Sequence, residues 1–335
     1  MGAIIDSIDA LERVIGKTPP AVNLKVIDHI DDTARRWLAA SRLMFAGGGD
    51  VGRIVTTLGG GAAGFAWAID RHTLAVPLDM LDDPAIAEPG ASFGSLFLIP
   101  GIGETLRING RVETVADGLA HVAVTECYVH CAKALIRSGF WDALPIGDVP
   151  VEAIEFVAAS RFMALATIDA AGHADLSPKG DPAGAMALMI DGRFCFADRP
   201  GNRRADSFRN IIAQPQVAAA LLIPGSTMIV QVAGRAQLTT DEALRNAFAV
   251  QDKVPLLANR IDGLSLTLQS SAALERAKLW PASAAPADIR PAKIFAEHVR
   301  LNKDKGIGAR IAGAFVSVPG LMQRGLDKDY KDNLY

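Results

Sequence analysis

The 335-residue sequence has few cysteines and little net charge, and each shortage excludes a class of protein. With 34 basic and 37 acidic residues and no basic block, we expect no nucleic-acid partner and no anionic membrane surface. No apolar run approaches the roughly 20 residues that span a bilayer. The first residues lack the charged and apolar pattern of a secretory signal. We therefore expect a cytoplasmic protein.

The three cysteines, Cys127, Cys131 and Cys195, are too few to indicate a disulfide framework. The segment ECYVHC, with His121 and His130 nearby, raises the question of a metal. Zinc sites usually combine one cysteine pair with a second, well-spaced pair of ligands, and the sequence has no such second pair. We predict packed thiols and no metal site.

What the sequence does contain is an internal repeat. Four short segments of the first half return in the same order in the second half, at slowly growing offsets. The pairs are LAASRLM (38–44) with VAASRFM (157–163), LIPG (98–101) with LIPG (222–225), NGRV (109–112) with AGRA (233–236), and ALIRSGFW (134–141) with ALERAKLW (273–280). Each match is weak by itself, but their common order predicts a tandem duplication.

Each copy opens with a helical segment and continues with short apolar runs such as FMALATID and RFCFAD, separated by Gly, Asp and Pro. Such runs are typical of strands joined by hairpin turns, so each copy is predicted to form a small antiparallel barrel. We predict a mainly β protein with helices (α+β). The expected units are residues 1–146, residues 147–285 and a helical tail, 286–335, that packs over the barrels or onto a partner.

The stretch DRPGNRRADSF contains two adjacent arginines, Arg203 and Arg204, after a turn and before a short helix. Arginine presents a planar fork that suits phosphate, and the helix that begins near Ser207 would add the positive end of its dipole. The spacing leaves a second interpretation open, in which solvated arginines are offset by Asp198 and Asp206.

Upstream lies DLSPKGDPAG, where Lys179 would bring another cation to the anion site, with Ser177 and Pro178 beside it. Together the two stretches indicate a phosphorylated cofactor that lies across strand ends. The turn at Gly201 and Asn202 would let backbone amides point at the same anion.

These motifs carry a family resemblance. The segments ADLSPKGDPAG, FADRPGNRRADSFRNI, LFLIPGIGETLRINGRV and HCAKALIRSGFWD resemble the pyridoxamine 5′-phosphate oxidase-like group of FMN-binding split barrels. The most similar subclass is that of probable FMN-dependent enzymes of undefined substrate. The resemblance covers most of residues 10–142 and 151–281. It implies two split β-barrels, an FMN cofactor and, because family members bind FMN between two subunits, an intrachain pseudo-dimer.

The two copies share out the family's motifs. The second copy keeps SPKGD and DRPGNRR, whereas the first keeps GIGETLRINGR and HCAKALIRSGFW. If the phosphate-binding segments of the second copy face the flavin-contacting segments of the first, one complete composite site remains. We therefore predict one FMN per chain.

Carried over residue by residue, the resemblance implies a set of cofactor-binding positions. The phosphate would contact Arg203, Arg204 and Lys179, with Asn202 and Ser207 in the same turn; the flavin ring would contact Ser177 and Pro178; and the ribityl chain would contact Asp198 and Arg199. The first copy would contribute Thr105, Arg107, Lys133, Arg137 and Trp141. For the last three, an ordinary amphipathic helix with a packed tryptophan remains an alternative.

The sequence points to no catalytic residue and does not identify the substrate. True pyridoxamine phosphate oxidases resemble one another in an Arg-x-His-type clamp that residues 270–335 lack, so vitamin B6 oxidation is not expected. The first hypothesis is an FMN-dependent oxidase or reductase of an undetermined small molecule, with NADH or NADPH as candidate donor and further homodimerisation open. The alternative is an FMN carrier or redox sensor without turnover. Haem binding is disfavoured because the histidines are scattered.

Overall fold

The computed structural model describes residues 2–50, 52–201, 204–303 and 321–335. In the first half the strands are β1 (Ile4–Ile5), β2 (Leu43–Asp50), β3 (Arg53–Gly60), β4 (Trp67–Ala68), β5 (Thr73–Pro77), β6 (Ser92–Leu98), β7 (Thr105–Ala116) and β8 (Leu119–His130). The helices there are α1 (Ile8–Ile15), α2 (Asp32–Ala40) and α3 (Lys133–Arg137), with 3-10 turns at Pro20–Lys25, Leu78–Met80 and Pro84–Ala87.

The second half has the same kinds of element. Its strands are β9 (Phe162–Ile168), β10 (Ala174–Gly180), β11 (Leu188–Ile190), β12 (Arg193–Ala197), β13 (Gln216–Leu222), β14 (Met228–Thr239) and β15 (Ala258–Ser270). Its helices are α4 (Ala153–Ala159), α5 (Asp206–Ala213), α6 (Glu242–Ala247) and α7 (Ala272–Ala277), followed by α8 (Pro291–Leu301) and α9 (Leu321–Asp332).

The strands form two antiparallel sheets with the same order. The first runs β3-β2-β6-β7-β8-β5-β4 and the second β10-β9-β13-β14-β15-β12-β11. Strand β1 is the exception, because it pairs with the far end of β14 in the second sheet. The predicted α+β class with two antiparallel sheets is confirmed, and the helical tail is present in α8 and α9. The proposed unit boundaries stay a prediction.

The two sheets pack face to face, and corresponding strands of the two sheets make corresponding contacts, as in a pseudo-two-fold arrangement. Strand β2 lies against β9, while β3 lies against β13 and β10 against β6. Apolar side chains from both sheets fill the space between them, and the rings of Phe45 and Phe162 lie 5.2 Å apart. A Cβ on Gly47 would stand 2.4 Å from the Cβ of Ala166, so glycine permits this close approach.

Each half also has its own core on the other side of its sheet. In the first half, α2 begins at the N-cap Asp31, whose carboxylate accepts a hydrogen bond from the backbone N–H of Ala34, and it buries Trp37 against the sheet. In the second half, Phe156 of α4 has the corresponding place. No helix among the described residues is long and apolar enough to cross a membrane.

Candidate functional site

The two halves meet along a cleft of about 650 Å³. Its walls come from β7, β8 and α3 of the first half, from β10, β12 and α5 of the second, and from α9 with the residues that follow it. The cationic lining side chains are Arg107, Lys133, Arg137, Lys179, Arg199, Arg204 and Lys253, and the carboxylates are Asp181, Asp198, Asp206 and Asp329. Cations outnumber carboxylates, which suits an anionic ligand.

Most of the positions expected from the sequence line this one cleft. The lining residues among them are Arg107, Lys133, Arg137, Ser177, Pro178, Lys179, Asp198, Arg199, Arg204 and Ser207. Asn202 and Arg203 lie outside the described residues. Residues separated by many strands in the chain are thereby brought together from both halves.

Thr105 and Trp141 do not line the cleft. Thr105 is fully buried at the start of β7, and Trp141 packs edge-on against Phe140 while its indole N–H donates to the carbonyl of Ile102 at 2.6 Å. Helix α3 ends at Arg137, so the helical spacing that linked Trp141 to Lys133 does not extend that far. Trp141 is a packed residue at the junction of the sheets.

Strand β10 carries its polar residues on alternating positions, as the two-residue period of a strand requires. The hydroxyl of Ser177 donates to Asp175 at 2.9 Å, and the ammonium group of Lys179 lies 4.5 Å from the centre of the Phe208 ring. Burial lowers the pKa of Lys179, although the nearby Asp198 opposes the shift. Burial likewise raises the pKa of Asp198.

The turn into α5 places Arg204 beside the start of the helix. Its guanidinium donates to Asp206 and to Glu126, the latter at 3.2 Å, and lies 4.6 Å from the centre of the Tyr128 ring. The N-cap Ala205 has a φ of 57° and supplies no side-chain hydrogen bond to the helix. The first turn of α5, with buried Ser207, is therefore not capped by a side chain.

Arg107 ties the halves together at the cleft. It is 1% exposed and donates to the hydroxyl of Tyr128, to the carboxylate of Asp175 and to the carbonyl of Leu176. The last two residues belong to β10 of the other half. Burial and the neighbouring Asp175 carboxylate raise the pKa of Asp206 to about 6, against the pull of the nearby arginines.

A second cluster surrounds Asp181 at the end of β10. Arg199 donates to its carboxylate at 2.8 Å and to the carbonyl of Phe248, also at 2.8 Å. Arg137 donates to the carbonyl of Gly180 at 2.8 Å and lies 3.6 Å from Asp181. Burial raises the pKa of Asp181 even beside these cations.

The segment that ends the chain reaches the same place. The ammonium group of Lys133 contacts the carboxylate of Asp329 and the carbonyl of Asn333, both at 2.9 Å. Arg137 donates to the carbonyl of Leu334 at 2.9 Å, and the Tyr335 ring lies 5.7 Å from the guanidinium carbon of Arg199. The predicted packing role of the tail thus includes part of the cleft wall.

Comparison with known proteins locates a family in the second half. Residues 150–279 match the pyridoxamine 5′-phosphate oxidase family. This region contains β10, β12 and α5, the elements that bring Lys179, Arg199 and Arg204 to the cleft. No curated protein matches the chain.

Several solved structures resemble parts of the chain. HupZ of Group A Streptococcus is 17% identical over 41% of this chain and 100% of its own, with a TM-score of 0.30. General Stress Protein 26 from Bacillus anthracis str. Sterne is 17% identical over 35% and 95%, with a TM-score of 0.27. An F420 reductase is 16% identical over 36% and 98%, also with a TM-score of 0.27.

The space beside β3 of the first sheet, which corresponds to the cleft beside β10, is filled by side chains of the protein itself. Gly59 stands where β10 has Lys179, and a Cβ there would lie 3.0 Å from the side chains of Leu81 and Met44. The carboxylate of Asp82 accepts hydrogen bonds from the hydroxyl of Ser271 and the backbone N–H of Ala273, at the start of α7. Side chains of the loop after β5 thus occupy the space that is open in the other half.

Several cleft residues were missed at the level of sequence. Asp181 lies inside the quoted motif DLSPKGDPAG, and Asp206 was considered only as a counter-charge to the arginines, so the alternation of acids and cations in those motifs was a usable signal. His130 and Cys131 also line the cleft, although ECYVHC was weighed only as a metal site. Burial, together with the nearby Arg107 and Lys25, lowers the pKa of His130 well below its ordinary value.

Proposed function

We propose that the chain is an FMN-dependent oxidoreductase that binds one FMN in the cleft between its halves. The observation that carries the proposal is the convergence of β10, β12 and α5, which match an oxidase family, with Arg107 and α3 of the other half around one cleft. A volume of about 650 Å³ lies within the range of small-molecule and cofactor sites. The tandem duplication is part of the proposal, supported by the shared strand order.

The phosphate would bind at the start of α5. Arg204 and Lys179 supply charge there, and Ser207 supplies a hydroxyl. Because α5 lacks a side-chain cap, the backbone N–H groups of Asp206 and Ser207 at its start are suited to donate hydrogen bonds to an anion. These groups together fit a phosphate of charge about −2. Arg203 and Asn202 remain predicted ligands in the same turn.

The flavin ring would lie along β10, where Ser177 and Pro178 line the cleft, with α3 as a neighbouring wall and Asp198 and Arg199 beside the ribityl chain. When bound, FMN would supply the redox chemistry, and the protein would orient it and tune its surroundings. Arg107 would hold β10 in place from the first half through its contacts with Asp175 and Leu176.

A titration with FMN tests the cofactor and its stoichiometry together. Flavin fluorescence should report saturation at one FMN per chain. Replacing both Arg204→Ala and Lys179→Met should weaken binding about 100-fold, because two cations that would offset the phosphate are lost. A control with Arg235→Ala and Lys278→Met, both exposed and outside the cleft, loses the same charge and should bind normally.

Two results would sink this proposal: saturation at two FMN per chain, or equal affinity of the cleft variant and the control variant. The reaction class is tested next by adding NADH or NADPH to the FMN-loaded protein. Loss of the visible flavin absorbance supports an oxidoreductase. A flavin that neither nicotinamide reduces would instead favour the carrier or sensor.

A further inference from the structure

Lys133 is a buried cation whose partners come from the end of the chain. Lys133 is only 5% exposed, and its ammonium group contacts the carboxylate of Asp329 and the carbonyl of Asn333. In the described part of the chain, both of these ammonium contacts belong to residues near α9. Among the described residues, the carboxylate that pairs with Lys133 is that of Asp329, on α9.

Arg137 lies one helical turn further along α3, on the same face as Lys133. One of its nitrogens is fixed by the carbonyl of Gly180 on β10, and another donates to the carbonyl of Leu334. The two α3 cations therefore point to one place, where residues 329–334 present them with a carboxylate and two carbonyl oxygens.

Buried charges require compensation. An ammonium group without an acceptor in a partly desolvated cleft carries a large free-energy cost, so an anion or a set of carbonyls must stand beside it. For Lys133, the carboxylate of Asp329 provides this compensation, whereas Arg137 also lies 3.6 Å from the carboxylate of Asp181.

Helix α7, which lies beside β3 as α3 lies beside β10, shows that, among the described residues of these two helices, the pair of cations occurs only at the open cleft. On α7, Arg276 donates to the carbonyl of Gly60, as Arg137 does to Gly180, but its other acceptor is the carbonyl of Met80 in a loop of the same protein half as Gly60. Ala272 stands at the position of Lys133. The filled side therefore has the arginine without the second cation.

We propose that Lys133 and Arg137 form a subsite for the carboxylate of a small anionic substrate, and that residues 329–334 are a built-in competitor for it. This inference rests on the proposed function, because it places the substrate beside the flavin. In the proposed function, the phosphate of FMN would bind near Ser207, at the start of α5. The substrate must displace Asp329 from Lys133 to bind.

The test uses malonate as the probe and the full-length, FMN-saturated protein. Calorimetry should show malonate binding, and Asp329→Asn should tighten it about fivefold because the competing charge is lost. The matched control is Asp332→Asn, which removes the same charge from an exposed position at the end of α9. Lys133→Met should abolish the binding. Inorganic phosphate, titrated in parallel, should bind more weakly than malonate.

A second readout follows the displaced segment. Hydrogen exchange in residues 321–335 should become faster when malonate binds. Equal malonate affinity in the wild type, Asp329→Asn and Asp332→Asn would overturn the inference, as would unchanged exchange. If phosphate binds more tightly than malonate, the carboxylate assignment is wrong.

The outcomes also separate this inference from the proposed function. FMN binding without malonate binding overturns the subsite alone. In FMN-free protein, malonate binding that depends on Lys133 while FMN fails to bind overturns the flavin proposal and leaves an anion site of another kind.

Discussion

The open cleft beside β10 and the filled place beside β3 share a backbone framework and differ in their side chains. Arg137 donates to Gly180 at 2.8 Å and Arg276 to Gly60 at 2.9 Å. Arg107 donates to the carbonyl of Leu176 at 2.6 Å, and Gln231, at the same place in β14, donates to that of Thr56 at 3.1 Å. Hydrogen bonds to the backbone carbonyls are therefore common to both sides.

What differs is the charge that the framework carries. The open side has Arg107 with Asp175 and a lysine at 179, where the filled side has Gln231 with Val55 and a glycine at 59. The contrast teaches that contacts to backbone carbonyls hold the two sheets in register, whereas the added cations are what make one side a candidate binding site.

The largest expected effect comes from giving the open side the neutral residue of the filled side. Arg107→Gln keeps the amide donor for Leu176 but leaves the carboxylate of Asp175 buried without its cation. The free energy of unfolding should fall by about 4 kcal/mol, as measured by urea denaturation.

The double variant Arg107→Gln with Asp175→Val reproduces the pair found on the filled side. It should recover most of the lost stability, because no uncompensated carboxylate then remains at that position. A double variant no more stable than Arg107→Gln alone would show that the two sides are not comparable frameworks.

The next effect concerns the glycines at the ends of β10 and β3. A Cβ on Gly180 would lie 1.9 Å from the carbonyl oxygen of Ala134, and one on Gly60 would lie 2.4 Å from that of Ala273. Each alanine variant should lose about 3 kcal/mol of stability, since a helix backbone must move.

Only Gly180→Ala should also weaken FMN binding, by about tenfold, because α3 forms a wall of the open cleft alone. Unfolding and FMN titration measured on both variants give the comparison. If Gly60→Ala weakens FMN binding as much, the filled side takes part in binding.

Lys25, in the first half, is expected to make a smaller and pH-dependent contribution to the free energy of unfolding. Its ammonium group donates to the carbonyl of Val129, and burial lowers its pKa from 10.5 to about 8. Between these two values the unfolded chain binds more protons than the folded one, so stability rises with pH across this window.

Lys25→Met removes this titration. Its stability relative to the wild type should therefore decline by about 2 kcal/mol between pH 7 and pH 10, as followed by urea unfolding. A stability difference that stays constant over this range would mean that the burial of Lys25 does not perturb its pKa.

The smallest effect is expected at Asp206, whose carboxylate would compete with the phosphate of the proposed FMN for Arg204. Asp206→Asn should strengthen FMN binding about threefold at pH 7.5. Since the pKa of Asp206 is raised to about 6, its carboxyl loses its charge below that pH, and the gap between variant and wild type should narrow at pH 5. A gap that widens at pH 5 would contradict this.

Local sequence patterns were sufficient for the fold class. Turn residues and the short apolar runs between them are close in the chain, so strands and hairpins could be predicted from them. The segment DLSPKG lies on β10, and α5 begins shortly after DRPGNRR. Contacts across the sheets were beyond such patterns. The bond between Arg107 and Asp175 depends on how one sheet faces the other, and the contact of Lys133 with Asn333 joins residues 200 positions apart.

Strand β1 belongs to the first half of the chain but pairs with β14 of the second sheet, so a cut in the connection between the halves would divide one sheet. Ile4 and Ile5 pair with Thr239 and Leu238, so the first residues of the chain complete the edge of the later sheet. A fragment that starts at residue 147 would expose that stretch of β14 as an unpaired edge, which favours self-association. Expression of the later half as an independent unit therefore needs residues 2–5 supplied in trans or fused beside Asp241.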